Sequence, residues 1–164
     1  MTAISDEGRF QRAIALFDAA NAEDPNLESA DGKEWPKELL YGRRMTEMQE
    51  RFAPEASEVV RLACRAQHIC RWKIPRKDYP MTPEGYQRWR TTLYKFHADL
   101  AGDLMRQAGY PDRMFERICP LVFSLMLAAP FPALAEVRAV LVGVSDYLVL
   151  DADLKGPSSD VALM

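Results

Sequence analysis

The chain has 164 residues, 48% of them hydrophobic, with a formal net charge of −3 and a pI near 5.5. That is enough apolar material for a single domain with its own core. The charge balance lacks the positive footprint that extended nucleic acid or an anionic membrane surface requires.

The charge is unevenly placed. Beyond residue 117 the basic residues are Arg138 and Lys155, against Glu136, Asp146, Asp151, Asp153 and Asp160. Residues 1–117 are therefore rich in charge but neutral, and 118–164 supply the whole excess. Cys64, Cys70 and Cys119 have neither framework nor zinc-ligand spacing, so they read as free thiols of a reducing cytoplasm. The first residues, Met1 to Glu7, have neither a basic start nor an apolar run, and predict no secretory signal.

Ser5 fits a helix N-cap, followed by Asp6 and Glu7 in the first turn. Phe10, Ala13, Ile14 and Phe17 then recur at helical spacing, which predicts an amphipathic helix over about 6–22. Residues 23–34 are mostly polar, contain Pro25 and Gly32, and read as a loop. Pro36 suits a first helical position, and Tyr41, Met45, Met48 and Phe52 form the stripe of a helix over 36–51. Pro54 opens a third helix to about residue 72, with Val59, Leu62, Ala63, Ala66, Ile69 and Cys70 on one face. Pro75 and Pro80 exclude regular helix over 73–82. Thr82-Pro83-Glu84 starts a long helix over 83–108, with a stripe of Tyr86, Trp89, Leu93, Phe96, Leu100 and Leu104 and Gly109 as its stop.

The expected fold is therefore all-α, a helical bundle of about four helices, with an atypical apolar C-terminal segment. Ile118 to Ala135 carries no charge. That length is close to the minimum for a membrane span, but Pro120, Pro130 and Pro132 and the lack of a basic flank argue against one. The end, from Lys155 to Asp160, has a disordered composition.

Three runs are distinctive: Ala19-Ala20-Asn21-Ala22-Glu23-Asp24-Pro25-Asn26; Arg65-Ala66-Gln67-His68-Ile69-Cys70-Arg71-Trp72-Lys73-Ile74-Pro75-Arg76 followed by Tyr79-Pro80; and Gly85-Tyr86-Gln87-Arg88-Trp89-Arg90 followed by Phe96-His97-Ala98-Asp99. In this order, over about 5–112, they resemble the domain-of-unknown-function family 4202. The resemblance implies two further helices with an acidic Leu-Glu-Asp stretch, from which this chain departs after about Arg117. An altered reading frame, or a divergent tail over 118–164, accounts for that departure. Some members carry a glutamyl-tRNA synthetase label, which the length and the lack of HIGH-like and KMSKS-like runs exclude here.

The chain has two histidines, and both fall in these runs. On the wheel of the third helix, Arg61, Arg65, His68 and Trp72 form a stripe opposite the apolar face. On the long helix, His97 lies on the apolar stripe with Arg90 one heptad before it. A buried Arg needs an anion or carboxylate beside it. Arg65, His68, Trp72, Arg76, Trp89, Arg90 and His97 are therefore the expected ligand-binding set, a cleft between the third and fourth helices for a small phosphorylated or nucleotide ligand.

Two other classes stay open. One is a metal-dependent phosphohydrolase of HD type, in which a divalent metal would be held by His68, His97 and Asp99. The intervening Ala98, and the roughly 200° between His97 and Asp99 on the wheel, weigh against it. The other is a non-enzymatic interaction protein whose motifs serve packing. No nucleophile elbow, phosphate loop, dinucleotide fingerprint or HExxH run occurs.

Overall fold

The computed structural model describes residues 6–111 and 114. Ser5, Cys119, the apolar segment 118–164 and the division expected at residue 117 lie outside the described residues.

Four α-helices carry the fold: α1 (Asp6–Asn21), α2 (Lys37–Phe52), α3 (Glu58–Ala66) and α4 (Pro83–Ala108). α1 packs against the other three, and α2 against α3. The main core joins Phe10, Ala13 and Phe17 of α1, Val59, Leu62 and Ala66 of α3, and Ala101, Met105 and Ala108 of α4. Alanines at these contacts let the helix backbones approach, while Phe17 and Leu62 fill the space between them. Burying one such large side chain stabilises by about 1.5–3 kcal/mol. A smaller cluster, Met45, Val60 and Cys64, joins α2 to α3.

The α4 bounds are those expected from the sequence. Thr82 caps the helix by accepting from the Gly85 backbone N–H at 3.1 Å, and Gly109 closes it at φ +99°. Elsewhere the structure corrects the sequence reading. The polar stretch 23–34 is not all loop, because Leu27–Ala30 (β1) and Lys33–Pro36 (β2) pair as an antiparallel hairpin. Asp31 and Gly32, both at positive φ, make its two-residue turn. Asp-Gly is the strongest short hairpin signal, and the polarity of its surroundings hid it.

Phe52 completes the expected stripe of α2 but is 52% exposed, because the helix ends there. The largest correction concerns the third helix. It spans Glu58–Ala66, not 54–72, and the chain then turns through Gln67–Cys70 into two short 3-10 segments, Arg71–Lys73 and Arg76–Asp78. Cys70 sits at φ +53°, a left-handed conformation no helix can pass through.

That turn is held from afar by the 19–26 run. Asn21, buried at the end of α1, accepts from the Cys70 backbone N–H at 2.9 Å. Asp24, also buried, accepts from the backbone and side chain of Asn26 with Oδ1, and from the Glu38 backbone N–H with Oδ2 at 3.0 Å. One side chain thus shapes the entry to the hairpin and satisfies an N–H in the first turn of α2. Among the described residues, no helix is long and apolar enough to cross a membrane.

Candidate functional site

The break at Cys70 decides which side chains meet. It turns His68 and Arg71 toward α4, where they line a cavity of about 160 Å³ with Tyr86, Trp89, Arg90, Leu93, Tyr94 and His97. The cavity lies between α4 and the turn after α3, not between the two helices themselves. Of the seven ligand-binding residues expected from the sequence, it brings together His68, Trp89, Arg90 and His97.

Of the other three, Arg65 and Trp72 are placed elsewhere, and Arg76 lies against the Tyr86 and Trp89 rings, 5.8 and 6.0 Å from their centres, without lining the cavity itself. Arg65 is buried, and its fork closes on Asp18 of α1: Nε donates to Oδ1 at 2.8 Å and Nη2 to Oδ2 at 2.6 Å. Its Nη1 donates to the Thr46 hydroxyl at 3.1 Å and the Gly42 carbonyl at 3.4 Å. All its donors serve the junction of α1, α2 and α3. Trp72 packs half-buried against the main core, under Lys73. Arg76 closes the proline-rich loop by donating to the carbonyls of Tyr79 and Pro80, at 3.0 and 2.9 Å. The 73–82 segment is also tied to α4, because Trp89 Nε1 donates to the Ile74 carbonyl at 2.9 Å.

The wheel failed for a physical reason. It ran one helix through Cys70, which put Trp72 beside Arg65 and left Arg71 unremarked. Once the chain breaks there, Arg71 enters the cavity, its guanidinium carbon 5.3 Å from the Trp89 ring centre. Arg61, the first member of that stripe, covers the Phe10 ring at 4.3 Å.

Behind His68 stands a pair that sequence reasoning missed. Tyr41 of α2 stacks on the His68 ring, 4.0 Å between centres and 12° from parallel. Its hydroxyl donates to Gln67 Oε1 at 3.2 Å. Glu38, 6% exposed, brings Oε2 to 3.6 Å from His68 Nδ1, just beyond hydrogen-bond length, and that oxygen has no hydrogen-bond partner. In the sequence Glu38 passes for an ordinary acid in the first turn of a helix, where the dipole favours one.

His97 is 2% exposed and its Nε2 has no hydrogen-bond partner. The two imidazoles stand 6.2 Å apart. Burial, then the neighbouring His68 and the Arg71 guanidinium, push the His97 pKa down to about 3. Burial likewise lowers that of His68, partly opposed by Glu38. Both rings are therefore neutral at neutral pH. Arg90 Nε donates to the Tyr94 hydroxyl, and its guanidinium lies 5.5 Å from the Tyr86 and Tyr94 ring centres. The cavity thus has two guanidiniums, two imidazoles and aromatic walls, with no carboxylate among its described lining residues.

A metal site built on His68, His97 and Asp99 does not fit. Asp99 lies on the outer side of α4, more than half exposed, and pairs with Lys95 at 2.8 Å. Among the described residues, no three His, Cys, Asp or Glu side chains are grouped to hold a metal ion.

Comparison with known proteins agrees with the motifs quoted above. The domain of unknown function DUF4202 matches residues 11–148, so the likeness runs on past Arg117. No curated protein and no solved structure matches the chain. A match over most of its length shows that the chain belongs to the DUF4202 family.

Proposed function

We propose that this protein binds a small oxyanion, a phosphate group above all, in the cavity between α4 and the turn at 67–71. One observation carries the reading: Arg71 and Arg90 line the same cavity as His68 and as His97, whose buried Nε2 has no hydrogen-bond partner. Guanidiniums attract an anion, and their planar forks suit the oxygens of phosphate or carboxylate.

Size narrows the ligand. Pockets for drug-sized molecules run to roughly 300–1,000 Å³. A cavity of about 160 Å³ suits a phosphate-sized group, either alone or as the end of a larger molecule whose remainder stays outside. The aromatic walls lower the local dielectric beside that group, which strengthens its contacts with the arginines. The nucleotide reading survives here only as a phosphate end bound beside Tyr86 and Trp89.

The test is calorimetric titration with inorganic phosphate and with a simple phosphomonoester, alongside the thermal melt. The wild type should be stabilised by both ligands. Arg71→Ala and Arg90→Ala should each weaken binding at least tenfold, about the lower end of what truncating a paired buried charge costs. If phosphate and the phosphomonoester leave the wild-type melting temperature unmoved, the reading falls.

A further inference from the structure

Glu38 does not line the cavity, yet it is buried behind a residue that does, with one carboxylate oxygen lacking a hydrogen-bond partner. Its position is well held. The Glu38 backbone N–H is bound by Asp24, and the acid lies one helical turn before Tyr41, which covers the face of His68. The His68 ring is thus held in plane by a stacked phenol, with a carboxylate oxygen 3.6 Å from its Nδ1.

A carboxylate beside one imidazole nitrogen favours the proton there, because the N–H can point at the negative oxygen. In a neutral ring the other nitrogen then keeps its lone pair. For His68, a residue that lines the cavity, that nitrogen is Nε2. The site therefore holds two kinds of group. Arg71 and Arg90 donate, while His68 Nε2 accepts.

Resting on the anion-binding reading, we propose that Glu38 is the positioning residue for His68, and that through it the cavity selects oxyanions that still carry an acidic hydrogen, such as hydrogen phosphate or a phosphomonoester monoanion, over fully ionised ones. A ligand with one P–O–H group satisfies the arginines with its bare oxygens and His68 with its hydrogen. A fully ionised anion of the same shape leaves the Nε2 lone pair facing an oxygen lone pair. Sites built to pair a ligand hydrogen discriminate strongly against analogues that lack it, because the buried protein group is then left unpaired.

Sulfate and inorganic phosphate form the natural test pair. Both are tetrahedral oxyanions of similar size, but at pH 7 phosphate keeps at least one acidic hydrogen and sulfate keeps none. Titrated calorimetrically into the wild type at pH 7, phosphate should bind at least tenfold more tightly than sulfate. In Glu38→Gln the ratio should fall toward one, because the amide can donate to Nδ1 and move the ring proton to Nε2. Glu38→Asp should recover part of the preference, which a purely structural role for Glu38 would not produce. The nitrogen NMR spectrum of the wild type should show the proton of His68 on Nδ1, a readout that needs no variant to fold. If sulfate binds as tightly as phosphate, or the His68 proton sits on Nε2, this inference is wrong while the anion site stands. If neither ion binds, the anion site itself falls, and this inference with it.

Discussion

The side chain of Asn21, at the end of α1, accepts a hydrogen bond from the backbone N–H of Cys70 at 2.9 Å, across 49 residues of chain. That bond fastens the one left-handed residue in the turn after α3, and the turn in turn aims His68 and Arg71 at α4. A motif far from the cavity in sequence thereby sets its geometry.

Replacing Asn21 tests this dependence. Asn21→Ala would leave the buried Cys70 N–H without its partner, a loss of about 1–3 kcal/mol. Denaturant melts should show that loss, and phosphate affinity should drop with it, although Asn21 is not among the cavity's lining residues. A variant that is destabilised but binds phosphate like the wild type would break the link between this bond and the cavity.

Arg65 is a structural arginine. Its pair with Asp18 joins α1 to α3, and its remaining donors reach α2. Removing one partner of a buried pair costs about 3–5 kcal/mol. Asp18 is a quarter exposed, so Arg65→Ala should fall near the low end. Asp18→Asn should cost less. The double variant should be less destabilised than the sum of the singles, because both remove one contact. Additive losses in the denaturant midpoints would contradict that.

Gly85 is required by close approach. A Cβ there would lie 2.1 Å from the Pro80 carbonyl oxygen, well inside contact, and that backbone cannot give way without moving the first turn of α4. Gly85→Ala should destabilise by about 1–3 kcal/mol, as overpacking does. It should also weaken phosphate binding, since Tyr86 and Trp89 follow directly. A Cβ added at Gly32 would meet nothing within 4 Å, but the residue stands at φ +72°. Gly32→Ala should therefore cost only about 1 kcal/mol of backbone strain.

Acid should destabilise the fold through His97. Its pKa is lowered from 6.5 to about 3 by burial, by His68 and by Arg71. Above pH 6.5 both folded and unfolded chains hold it neutral, and the full stability is present. Below that pH the unfolded chain takes up a proton that the folded one refuses. Stability therefore declines as pH falls from 6.5 toward 3, by up to about 1.4 kcal/mol per pH unit for one group. Urea unfolding at stepped pH should show a shallower acid slope in His97→Gln than in the wild type. Equal slopes would place the linkage elsewhere.

Much of the fold was legible along the chain, since the signals involved are local. The Thr82 cap, Pro83 and Gly109 mark both ends of α4, and the spacing of Phe10, Ala13 and Phe17 marks the buried face of α1. These signals depend on residues within a turn or two of one another, which is the range over which capping and amphipathic periodicity act. The distinctive runs were legible too, and they identified the family. What each run does was not.

The tertiary structure decided the site, because its geometry depends on bonds between distant segments. Cys70 has no side-chain feature that announces a left-handed backbone; Asn21 imposes it from α1. Arg65 and Arg71 look alike in one motif, yet Asp18 claims the first and the broken helix turns the second into the cavity. Glu38 passes for a first-turn acid until α2 packs beside α3 and brings its carboxylate to His68. Helical phase is a local property and survives only while the helix does, whereas the pairing of a charge depends on which partner the packing of other elements delivers.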